Sequence, residues 1–131
     1  MELSLYIKDK LVSGKRVAIP IMTHPGIELL GKRVLDAVTN GEIHYHAIRV
    51  LNECFPQSAA CTTIMDLTVE AEAFGARLSM SPNEVPSVCG RLLTGYADVE
   101  ALQIPSVESG CMPQYLLADR LAAEGIDKPV L

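Results

Sequence analysis

The stretch that most constrains this chain is Cys61 to Gly75, CTTIMDLTVEAEAFG. Cys61, Thr62, Thr63, Ile64 and Met65 read as a short strand buried on both faces, the kind that builds parallel sheets. Asp66 ends the run. From Thr68 onward Val69, Ala71, Ala73 and Phe74 alternate with Glu70 and Glu72, which suits the first turns of a helix, and Gly75 is placed to stop it. A carboxylate at such a junction has two readings. It can cap the helix N-terminus, or it can be a functional group, because α/β proteins bind ligands and do chemistry at the carboxyl ends of their strands.

The rest of the chain repeats the alternation of strand and helix. Leu3 to Val12 reads as a short helix ended by Ser13-Gly14. Arg16 to Met22, RVAIPIM, reads as a strand, with Pro20 confined to a place where no ladder partner needs its missing N–H. Pro25 opens a helix from Gly26 to Val38, with His24 or Thr23 at its cap. After Thr39-Asn40-Gly41 a second helix runs from Glu42 to Phe55, with Ile43, Ala47, Val50, Leu51 and Cys54 as its buried stripe. Arg77 to Met80 reads as a short strand, and Ser81 to Pro86 as an extended loop shaped by its prolines. Tyr96 to Leu102 forms a short helix. Met112 to Glu124 forms a longer one, with Met112, Leu116, Leu117 and Leu121 inward and Gly125 at its end. Asp127 to Leu131 reads as the start of another strand. A core strand needs partners for its backbone groups, so residues 1–131 are expected to be a single partial domain of a longer protein.

Composition narrows the function classes. The 131 residues are 49% hydrophobic and carry a net charge of -5, which fits a globular domain and disfavours nucleic acid, since basic residues come only in scattered pairs such as Lys15-Arg16 and Lys32-Arg33. No membrane span is expected, because the longest uncharged stretch, Val17 to Ile27, is interrupted by Pro20 and Pro25. The charged N-terminus MELSLYIKDK does not suit a signal peptide, so the cytoplasm is the expected compartment. Cys54, Cys61, Cys89 and Cys111 have no CxxC spacing and are expected to be buried free thiols. His44 and His46 form an HxH pair, but on a helix they point about 200° apart, which argues against shared metal ligation and for surface or boundary roles. Glu70 is positioned to join Asp66 near the strand end, where a carboxylate pair would suit acid–base work, although a solvated helix face also explains it. His24 likewise follows a strand and precedes a helix.

RVAIPIMTHPGIELLG, TTIMDLTVEAEAFGA, NEVPSVCGRLL and the terminal KPVL, in this order, resemble the N-terminal portion of the uroporphyrinogen decarboxylase superfamily. The superfamily also contains methyltransferases that move methyl groups from methylcobalamin carriers to thiols. The resemblance implies an α/β fold, the N-terminal part of a TIM (β/α)8 barrel that is incomplete in this chain. It places Asp66 at the decarboxylases' essential aspartate, which reaches pyrrole N–H groups at the barrel mouth. Met22 and Gly26 match an Arg-Gln-Ala-Gly-Arg segment and the methionine before it, but Thr23 and Ile27 stand where its arginines would be, with His24-Pro25 at its centre. Loss of two guanidinium partners disfavours an octacarboxylate substrate. The resemblance therefore points to the methyltransferase-type branch, with Asp66 catalytic and Met22, His24, Gly26 and Glu70 toward a corrinoid or tetrapyrrole. Strict decarboxylation, or a non-catalytic fragment that assembles with other chains, are the alternatives. No cofactor is expected on this chain alone; zinc and methylcobalamin are what the resemblance implies for the full-length protein. Expected partners are a corrinoid carrier protein and a second copy of the chain, since uncovered strand edges and helix faces seek partners.

Overall fold

The computed structural model describes residues 3–14 and 16–131; Met1, Glu2 and Lys15, which belong to the charged N-terminus and to one of the basic pairs, lie outside them. Among the described residues the chain is mixed α/β, with helices α1 (Leu3–Ser13), α2 (Thr23–Leu29), α3 (Val34–Val38), α4 (Gly41–Cys54), α5 (Val69–Ala73), α6 (Tyr96–Ala101) and α7 (Met112–Gly125). A hairpin of β1 (Arg77–Ser81) and β2 (Glu84–Cys89) lies between α5 and α6. No helix among them is long and apolar enough to cross a membrane.

The organising feature is a set of extended segments rather than the hairpin. Residues 16–22, 59–65 and 129–131 run side by side. Cys61 and Val130 form a parallel bridge, with Cys61 N–H donating to Pro129 O at 2.8 Å and Leu131 N–H to Cys61 O at 3.0 Å. On the other side, Ala59 N–H donates to Ala18 O at 3.0 Å, Thr62 Oγ1 to Pro20 O at 3.4 Å and Thr23 Oγ1 to Thr62 O at 2.8 Å. These contacts advance together along both chains, so this pair is parallel too. Consecutive carbonyls of a strand point to opposite edges. Cys61 O and Thr62 O therefore face different neighbours, which puts 59–65 in the middle. The segment containing Pro20 makes no regular ladder, as a proline requires.

α2 to α4 connect the first segment to the second, and α7 leads from the second part of the chain into the third. α4 is the hub. Asn40 Oδ1 accepts from the N–H groups of Glu42 and Ile43 at 3.0 and 3.1 Å and starts it. Its buried face is Gly41, His44, Ala47, Ile48 and Leu51. Ile27, Val34, Ala37, Val38 and Ala47 pack against Ile64, while Ile48, Cys61, Ala122 and Ile126 form a second cluster. Gly26 permits the α2–α4 contact: a Cβ there would lie 2.9 Å from both the Ala47 carbonyl carbon and Leu51 Cδ1.

Several expectations from the sequence change. The helix expected over Gly26 to Val38 is two helices. Gly31 at φ +63 closes α2, its N–H bonding to Glu28 O and that of Lys32 to Ile27 O. Asp36 then accepts from Arg33 N and its guanidinium at 2.7 to 3.1 Å, opening α3. Neither His24 nor Thr23 caps α2: Met22 is its N-cap, without a side-chain bond, and the Thr23 hydroxyl reaches Thr62 instead. The loop expected over Ser81 to Pro86 is the turn and second strand of the hairpin, irregular between Ser79 and Ser81, opposite the part of β2 that contains Pro86. On α7 the innermost residues are Ala118 and Ala122, small side chains that let α4 come close, whereas Leu116 is exposed. Cys54 and Cys89 are exposed, Cys61 is buried and Cys111 is half-buried, all four as free thiols.

A candidate site built on Asp66

Asp66 lies where the middle extended segment ends and α5 begins, and it is half-buried. Its Oδ1 accepts from Thr68 N at 2.8 Å and Thr68 Oγ1 at 2.6 Å, a local turn onto Thr68, which is itself the N-cap of α5 and makes no side-chain capping bond, so Asp66 orders the turn before the helix rather than capping it. Its Oδ2 accepts from the Tyr115 hydroxyl at 2.8 Å, a contact across 49 positions that such a turn does not require. Oδ1 thus has both lone pairs used and Oδ2 has one left. A carboxylate so held can accept an N–H group or pair with a cation.

Two elements brace this position. His44 on α4 has no exposed surface, and its Nε2 accepts the N–H of Ile64 at 3.0 Å, two residues before Asp66. The proton of the neutral ring therefore sits on Nδ1, which has no hydrogen-bond partner. Burial pushes the His44 pKa down to about 4, against the opposing pull of the Asp66 charge, so the imidazole is neutral near pH 7. The Tyr115 ring meets His44 edge to face, with centroids 5.1 Å apart and planes at 87°. Burial, and then the Asp66 carboxylate, raise the Tyr115 pKa, so the phenol keeps its proton and stays the donor.

Glu72, not Glu70, carries the contact between α5 and α7. Its Oε2 accepts the N–H of Cys111, the N-cap of α7, at 2.7 Å. Burial, followed by Glu72, pushes the Cys111 thiol up to about 11, which leaves it a poor nucleophile. Glu70 is exposed, and its charge acts on Tyr115. His24 is exposed in the first turn of α2, next to Thr23, whose hydroxyl joins the first extended segment to the second. Met22 lines a small cleft with Pro20, Ile48, Asn52, Ser58 and Cys61, and Gly26 is buried against α4. A separate apolar hollow of about 380 Å³ opens on the extended segments, lined by Ile19, Ile21, Thr63, Met65 and Leu131. Among the described residues no three His, Cys, Asp or Glu side chains gather so as to hold a metal ion.

The sequence reading missed His44 and Tyr115. His44 corrects its surface or boundary assignment: it is enclosed by α4, α7 and the middle segment, while His46 is exposed. The signal was present, since Gly41, His44, Ala47, Ile48 and Leu51 follow helical spacing and Tyr115, Ala118 and Ala122 share one face of α7. Ranking positions by hydropathy hid it.

The fold and the position of Asp66 define a mixed α/β protein with parallel extended segments and a carboxylate at the end of the middle one. No family's sequence profile and no curated protein matches the chain. Among solved structures it is similar to a methyltransferase from Methanosarcina mazei, with a TM-score of 0.71 and 24% identity. The match covers 92% of this chain and 39% of that one, so this chain spans well under half the length of that methyltransferase. At that identity the likeness establishes the fold.

Proposed function

We propose that this chain is the N-terminal part of a (β/α)8-barrel methyltransferase that takes a methyl group from methylcobalamin to a thiol, with Asp66 at the barrel mouth. The observation that carries the reading is the braced Asp66 carboxylate, beyond a parallel extended segment, with one acceptor position left on Oδ2. The methyltransferase of like fold supports the same reaction class. Methylcobalamin would supply the methyl group and keep the electron pair of the broken bond, and the thiol would take the methyl group on sulfur after losing its proton to solvent. Asp66 would accept a polar N–H of the corrinoid and fix its orientation; His24 and Glu70 are exposed on α2 and α5, while Met22 lines its own small cleft and Gly26 packs against α4. Zinc would activate the thiol in such an enzyme. Among the described residues no cluster of His, Cys, Asp or Glu fits a zinc site.

The test is methyl transfer from methylcobalamin to 2-mercaptoethanesulfonate by the gene product at its full length, beside an assay of uroporphyrinogen decarboxylation. Methyl transfer without decarboxylation is expected. Asp66→Asn keeps the shape and part of the turn contact with Thr68, so it should lower corrinoid affinity or turnover at least about tenfold, or about 1.4 kcal/mol, while costing about 1 kcal/mol of stability or less. Decarboxylation without methyl transfer would move the protein to the other branch. Unchanged turnover in a destabilised Asp66→Asn would leave Asp66 with its turn contacts only.

A further inference from the structure

We propose that Tyr115 is the positioning residue of Asp66: its hydroxyl fixes the direction in which the carboxylate presents the free lone pair of Oδ2. The proposal rests on the reading of Asp66 as the ligand-contacting group. The turn before α5 occupies Oδ1 alone, through both donors of Thr68. A carboxylate held by one oxygen pivots about it, and a second fixed point sets its plane. Tyr115 supplies that point from α7 at 2.8 Å.

Tyr115 is itself held. His44 lies edge to face against its ring and at the same time accepts the Ile64 N–H at 3.0 Å. The segment carrying Asp66 is thus tied to α4 at Ile64 and to α7 at Asp66. Glu72 fastens the start of α7 through the Cys111 N–H at 2.7 Å, four residues before Tyr115. A ligand group that reaches Oδ2 meets a carboxylate whose direction was set by helix packing before binding, which lowers the ordering cost of binding.

Tyr115→Phe keeps the ring and its contact with His44 while removing the hydroxyl. Crystal structures of the full-length gene product as wild type, Tyr115→Phe and Thr68→Val read the carboxylate position directly. In Tyr115→Phe the Oδ2 atom should swing away by more than about 0.5 Å, the tolerance of a preorganised site. In Thr68→Val, which keeps the Tyr115 bond and the backbone donor, it should stay. Equilibrium binding of methylcobalamin to the full-length gene product supplies the second readout. Tyr115→Phe should weaken it at least about fivefold, and the same change in an Asp66→Ala background should have no effect, because Tyr115 acts through Asp66. A carboxylate that stays in place in Tyr115→Phe overturns the proposal, and so does an undiminished loss in the Asp66→Ala background. If the wild type binds no methylcobalamin, the corrinoid reading falls, and the crystal structures still decide the role of Tyr115.

Discussion

Acid should destabilise this protein through His44 before its carboxylates matter. His44 has no exposed surface, and burial holds its pKa near 4, against about 6.5 in an unfolded chain. Between those values the unfolded chain takes up a proton that the folded one refuses. Stability is therefore fully present above about pH 6.5, falls as pH drops toward 4, and loses nothing more from this residue below that. A difference of about 2.5 units corresponds to about 3 kcal/mol, a large share of the 5 to 15 kcal/mol typical of a domain. The structural event is specific: a protonated Nε2 cannot accept the Ile64 N–H, so the bond at 3.0 Å beside Asp66 is lost. Urea unfolding followed by circular dichroism, from about pH 7.5 to about pH 4, measures the loss if the transition is two-state. The control is His44→Gln, whose amide oxygen can take the same N–H and does not titrate. Asp36, held down to about 2 by Arg33, and Asp98, lowered by its bonds to Thr94 and Gly95, lose their contributions only below about 3.8. Asp119, raised by burial, acts in the opposite direction, and all three are present in both proteins. The wild type should lose about 3 kcal/mol more than His44→Gln over this range. Parallel stability curves for the two would refute the reasoning.

Gly26→Ala should destabilise the protein by about 1 to 3 kcal/mol, because its Cβ would lie 2.9 Å from Leu51 Cδ1 and press on the Ala47 carbonyl, and the gain in helix propensity of up to about 1 kcal/mol does not offset this. A thermal melt checks it; an unchanged midpoint would mean that α2 and α4 can separate freely. Under native conditions a thiol reagent should modify the exposed Cys54 and Cys89 quickly and the buried Cys61 and half-buried Cys111 slowly, with all four reacting alike in denaturant.

Sequence alone determined several local elements of this chain, though not the break between α2 and α3 or the strand β2. The strand-like run before Asp66, the helix after it and its end near Gly75, the Asn40 break before α4 and the extended run around Pro20 all follow from side-chain pattern and backbone chemistry within a few residues. Those rules located Asp66 at a strand–helix junction. They could not say what faces its second oxygen, because Tyr115 lies 49 residues away and reaches it only after α7 packs on α4. The same packing decided the inward residues of α7. Hydropathy favours Leu116 and Leu121, but a close helix contact selects Ala118 and Ala122 and turns Leu116 to solvent. His44 shows the division most clearly. Its spacing puts it on the buried face of α4, yet only the tertiary structure supplies the Ile64 N–H that lets a histidine remain there uncharged.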